Sequence, residues 1–189
     1  MSDVCNDDVS NHEVLGRILN ETSQINKSGV VKPQIMYPKV TRPDQESGRE
    51  KMFSNKLSVV RLCRGHKDST YTWQIHEDKA KEFIGRSNNI FRGFMIAKAM
   101  TVRDYGLVVV PDGRVQNPYH AHIIIPDFNV DFNEGVTMAA DVIPAYIRVR
   151  LDRLRMQMRT IILNKGDRYP ANLNYASPSD CICNHCSYI

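Results

Sequence analysis

Polar and apolar positions alternate most regularly between Asn117 and Asp127, and a strand's period of two resolves that stretch into two faces. His120 and His122 fall on one face and Ala121, Ile123 and Ile125 on the other, so a pair of imidazoles is backed by core. The same reading predicts β-rich runs over Lys56–Arg64, Thr70–Ile75, Gly93–Met100 and Leu107–Val110. With His120–Ile125 they make a sheet of four or five strands. Helical spacing takes over elsewhere. Val14, Leu15, Ile18 and Leu19 predict a short helix from Asn11 to Ser23, and a second runs from His76 to Ile84. The longest covers Ala145–Leu163, where Ile147, Leu151, Leu154, Met158, Ile161 and Ile162 form one stripe behind Pro144 in the first turn. Thr101 reads as the N-cap of a single turn, Val102–Tyr105, ended by Gly106, and Pro111–Arg114 carries turn chemistry.

These elements divide the chain. Pro33, Pro38 and Pro43 favour an extended path, and 44–51 is mostly charged or polar, so residues 1–51 read as a polar N-terminal arm with one short helix. Residues 52–166 form the core domain and 167–189 a tail. The expected fold class is α+β: a small mixed or mainly antiparallel sheet, Val59 to Ile125, packed by two helices, with an extended N-terminal arm. A length of 189 residues suffices for one hydrophobic core.

Composition narrows the function classes. No apolar run reaches the roughly 18–20 residues a membrane span needs, and the acidic N-terminus lacks the layout of a secretion signal. Five cysteines, three of them in the last nine residues, form no evident disulfide framework and fit a reducing compartment. A cytoplasmic protein is the expectation. The formal charge of +4 is too modest to make nucleic-acid binding the default.

Three clusters carry candidate chemistry. Two neutral imidazoles two residues apart, His120 and His122, suit a metal site, an acid–base pair or contacts to a phosphate. A metal would need a further ligand from afar, such as His66, His76 or Asp127. Cys181, Cys183, His185 and Cys186 supply the atom types of a zinc site. Their crowding within six residues requires completion by Cys63 or a second subunit, the alternative being a frayed tail. On the long helix Arg148, Arg150, Arg153, Arg155 and Arg159 face a single acid, Asp152, so an acidic protein or nucleic-acid partner and a simple solvated face both remain open.

Two resemblances add expectations. Arg61, Arg64 and Gly65, followed by Tyr71-Thr72-Trp73 and a helix with Ala80 and Phe83, resemble the order of elements in the ADP-ribosyltransferase core. The resemblance implies that Arg64 holds a phosphate of a nicotinamide dinucleotide (NAD) and that Thr72 and Trp73 lie on the second strand. His120 or His122 stands where that family has a glutamate. The run Gly93–Asp112 followed by Asn117–Ile123 resembles small bacterial proteins of unassigned function, which implies a bacterial source and a toxin-like or anti-phage setting. Together the readings give an accessory or effector subunit that binds a protein or nucleic-acid partner. The alternative is an enzyme with a pocket of Arg64, Thr72, Trp73, His120 and His122, either ADP-ribosyltransferase-like or cleaving phosphodiesters with its histidines.

Overall fold

A computed structural model describes residues 8–20, 24–26, 30–38, 40–41, 52–53, 55–62, 80–82, 91–114, 117, 119–128 and 143–162. Arg64, Thr72, Trp73, the predicted strand at 70–75 and the cluster Cys181, Cys183, His185 and Cys186 lie outside the described residues.

The fold is α+β, built on a six-stranded antiparallel sheet. In chain order its strands are β1 (Val14–Asn20), β4 (Lys56–Arg61), β5 (Phe91–Lys98), β6 (Val108–Pro111), β7 (His120–Ile124) and β8 (Arg159–Ile162). In space they run β6-β7-β4-β1-β5-β8. Two short strands, β2 (Val40–Thr41) and β3 (Met52–Phe53), pair separately. Helix α1 (Ala99–Asp104) follows β5 directly, and α2 (Ala145–Gln157) precedes β8.

Register sorts the sheet into two faces. Leu15 lies opposite Ala97, Leu57 opposite Ile123 and Val59 opposite Ala121. These residues join Leu19, Met95 and Val109 in one core cluster with Ile147, Leu151 and Leu154 of α2. The stripe read from the sequence is therefore the surface that α2 buries, up to Met158. The other face buries Val14, Val60, Leu62, Phe94 and Ile96 near the middle of the sheet and becomes polar toward β7.

Four expectations are corrected. The helix expected over Asn11–Ser23 is not found among its described residues: Val14–Asn20 is a strand between β4 and β5, and it belongs to the sheet rather than to an arm. Both faces of β1 are covered, so apolar residues occur as adjacent pairs, and Val14-Leu15 and Ile18-Leu19 imitate a helical stripe. The core accordingly starts well before Met52. The long helix stops at Gln157, because Met158 adopts extended angles (φ −74°, ψ 133°), and the β-branched run Thr160-Ile161-Ile162 continues as β8. Helix α1 starts at Ala99 with Lys98 in the cap position, so Thr101 lies inside it; Gly106, at φ 70°, ends that turn as expected. β1 and β8 raise the strand number from the expected four or five to six.

Two buried arginines, Arg61 and Arg17, tie the N-terminal segment to its neighbours. The Arg61 guanidinium donates two 2.7 Å bonds to the Glu13 carboxylate, and both side chains are fully buried. Arg17 of β1 donates through Nη1 to the Ser58 carbonyl at 2.6 Å and through Nε to the Ile35 carbonyl at 3.3 Å. Burial lowers the Arg17 pKa to about 10.

A candidate active site on the histidine strand

The site forms where β7 lies between β4 and β6. His122 faces Ser58 on one side and Val110 on the other. One step beyond β6, the Asp112 N–H donates to the His120 carbonyl at 3.0 Å, which brings the Asp112 side chain level with His120. Ser58 is then the diagonal neighbour of His120, within side-chain reach across an antiparallel pair. The reversal after β6 is closed by mutual backbone bonds between Arg114 and Asn117 of 3.0 and 2.9 Å. That turn returns Arg114 onto Asp112.

Asp112 Oδ2 is the hub. It lies 2.9 Å from His120 Nδ1, 3.0 Å from His122 Nε2, and 3.0 and 2.7 Å from Arg114 Nε and Nη2. His120 Nδ1 is also 3.2 Å from the Asp112 carbonyl, and its Nε2 is 2.6 Å from Ser58 Oγ. The two imidazoles meet edge to face with centroids 4.6 Å apart. An ionised carboxylate only accepts, so the neutral His120 ring carries its proton on Nδ1 and accepts the Ser58 hydroxyl proton at Nε2. His122 by the same logic carries its proton on Nε2, and its buried Nδ1 has no hydrogen-bond partner among the described residues.

Electrostatics keep the rings neutral and the carboxylate charged. Burial lowers the His120 pKa and outweighs the bonds from Asp112 that raise it. For His122, burial and then the neighbouring His120 lower it, with Lys56 and Arg114 acting in the same direction. Burial alone pushes Asp112 up, but hydrogen bonds from Arg114 and His120 and the charges of His122 and Arg114 together bring it below the usual carboxylate value. A neutral base held by an ionised acid is the state a proton relay needs. Asp112, His120 and His122 also each turn one possible metal-ligand atom inward, all within 4.8 Å of one another.

The two histidines share one face of β7, as their alternation predicts, and among the described residues that face is half-buried and meets Asp112 and Ser58; His66 and His76 lie outside the described residues. Asp127 instead lies 3.6 Å from Arg150. Ser58 and Asp112 escaped sequence reading. Ser58 interrupts the apolar run Leu57–Val60 on the His122 face, and Asp112 sits in the Pro111–Arg114 stretch, whose residue types signal only a turn. Of the helix arginines, Arg150 faces Asp127, and Arg155 lies 3.6 Å from Asp152 and bonds the Val31 carbonyl. Arg148 and Arg153 are exposed on α2, whereas Arg159, also exposed, lies on β8 and not on the helix. No protein-family model, curated protein or solved structure matches this chain.

Proposed function

We propose that the protein is a hydrolytic enzyme that cleaves phosphate esters through a Ser58–His120–Asp112 relay. One observation carries the reading: a single imidazole is bonded at both nitrogens, to a hydroxyl at 2.6 Å and a carboxylate at 2.9 Å. That is the geometry of an activated nucleophile, a base and an orienting acid. Ser58 Oγ attacks phosphorus as its proton passes to His120 Nε2, and Asp112 stabilises the resulting imidazolium. The bond to the leaving oxygen breaks and the imidazolium returns that proton to it; water activated by the same nitrogen then frees Ser58. Support for an anionic substrate comes from Arg114, whose side chain is 66% exposed beside the relay, and from Lys56, two residues before Ser58 on the same face.

The test is hydrolysis of bis(4-nitrophenyl) phosphate, with 4-nitrophenyl acetate as the comparison ester, by the full chain in a chelator. Ser58→Ala, His120→Ala and Asp112→Asn should each lower kcat by roughly 10⁴–10⁶, the range for members of such a relay. A Ser58→Ala protein with full activity would remove the nucleophile from this scheme. Full activity in all three would reduce the relay to a structural clamp.

A second reading, binding through α2, is favoured by its exposed Tyr146, Val149 and Met156 beside the exposed Arg148 and Arg153. Binding to an acidic protein or nucleic acid would weaken steeply with salt and fail in the Arg148→Gln/Arg153→Gln double variant.

A further inference from the structure

We infer that Asp112, His120 and His122 form a site for one divalent transition-metal ion, zinc or cobalt in chemical class, and that filling it switches the Ser58 relay off. The ligand atoms are His120 Nδ1, His122 Nε2 and Asp112 Oδ2. Bonds of about 2.0–2.2 Å to a tetrahedral ion place neighbouring ligands roughly 3.3 Å apart. The carboxylate oxygen already lies 2.9 and 3.0 Å from the two nitrogens, and all three ligand atoms lie within 4.8 Å of one another, so a small closing movement of the imidazoles admits the ion. Imidazole and carboxylate are ligand types that such ions accept, and three protein ligands leave a position open for water or an anion.

The surroundings allow the exchange. Arg114 also occupies Asp112 Oδ2, but it is 66% exposed and can withdraw into solvent. His122 makes its contact with Asp112 through Nε2, while among the described residues its Nδ1 has no hydrogen-bond partner to lose. Ser58 Oγ at 2.6 Å from His120 Nε2 supplies the outer-shell partner that a ligating histidine uses to fix its tautomer.

The switch follows from that tautomer. With metal on Nδ1, the neutral His120 ring carries its proton on Nε2 and donates to Ser58 instead of accepting from it. Neither ring changes its proton count; each moves its proton to the other nitrogen. A nitrogen that already holds a proton cannot take one from the serine, so metal and relay exclude one another. Metal binding stands on the three ligand atoms alone, and the inhibition rests on the relay proposed above.

Cobalt(II) is the probe, added to the full chain with Cys181, Cys183 and Cys186 replaced by serine so that tail thiolates cannot compete. One equivalent should bind with visible d–d bands and no near-ultraviolet thiolate band. Asp112→Asn, His120→Gln and His122→Gln should each weaken binding by about tenfold or more, with circular dichroism confirming that each remains folded. Ser58→Ala should still bind one equivalent. Absence of stoichiometric binding, or binding indifferent to all three ligand substitutions in folded protein, overturns the site. In the hydrolysis assay one equivalent of zinc should suppress turnover and a chelator should restore it; turnover that persists with metal bound overturns the switch. Metal binding in a protein whose hydrolysis ignores Ser58→Ala would keep the site and discard the relay, whereas Ser58-dependent hydrolysis without metal binding would do the reverse.

Discussion

Arg61 and Glu13 show what a charge costs inside this sheet. Both side chains are fully buried and meet through two bonds of 2.7 Å, so removing one leaves the other charged and without its main partner. Glu13→Ala should destabilise the fold by about 3–5 kcal/mol, read as a fall in the urea midpoint. Replacing both residues by apolar ones of similar volume should cost much less. The histidines give a second consequence at this scale. Their pKa values are lowered below 6.5 in the fold by burial, so on acidification the unfolded chain takes up protons first. Their contribution is therefore complete above pH 6.5 and is lost as pH falls from there through the folded values. Urea midpoints should drop between pH 7.5 and 6.0, and less so in the His120→Gln/His122→Gln double variant. An equal drop in both would mean that other groups carry the effect.

At the scale of elements, β1 and α2 depend on close fit. A Cβ on Gly16 would sit 2.7 Å from Leu62 Cδ1, on a face already filled by Val14, Val60 and Phe94. Gly16→Ala forces Leu62 aside and should cost about 1–3 kcal/mol, the range for overpacking, despite the better backbone propensity of alanine. Leu151, fully buried between α2 and the sheet, should cost about 2–5 kcal/mol when cut to alanine. Thermal melts of the two variants measure both. The same elements mark where local patterning was readable. The α2 stripe of Ile147, Leu151 and Leu154 is buried as its spacing predicted, since one covered face imposes one period. The paired residues of β1 misled because a strand covered on both faces has no alternation to display.

For the whole molecule, chain order and spatial order differ. β1 is first in sequence yet lies inside the sheet, hydrogen-bonded to β4 on one side and β5 on the other. Removing residues 1–20 would strip partners from both strands and expose the core built on Leu15 and Leu19. A chain beginning at Met52 should therefore lack a cooperative unfolding transition; a sharp transition would restore the view of residues 1–51 as a separable arm. No helix among the described residues is long and apolar enough to cross a membrane.

The sequence by itself determined what depends on near neighbours: the two faces of β7, the stripe of α2, the Gly106 turn and the presence of two imidazoles on one side of a strand. Their periods are properties of the backbone, and no distant contact is needed to see them. Only the tertiary structure decided that β1 is a strand, that the helix yields to β8 after Gln157, and that His120 meets Asp112 eight residues before it and Ser58 sixty-two residues before it. Those outcomes depend on which strands become neighbours, and neighbour choice is set by the combined burial of both sheet faces rather than by any local pattern.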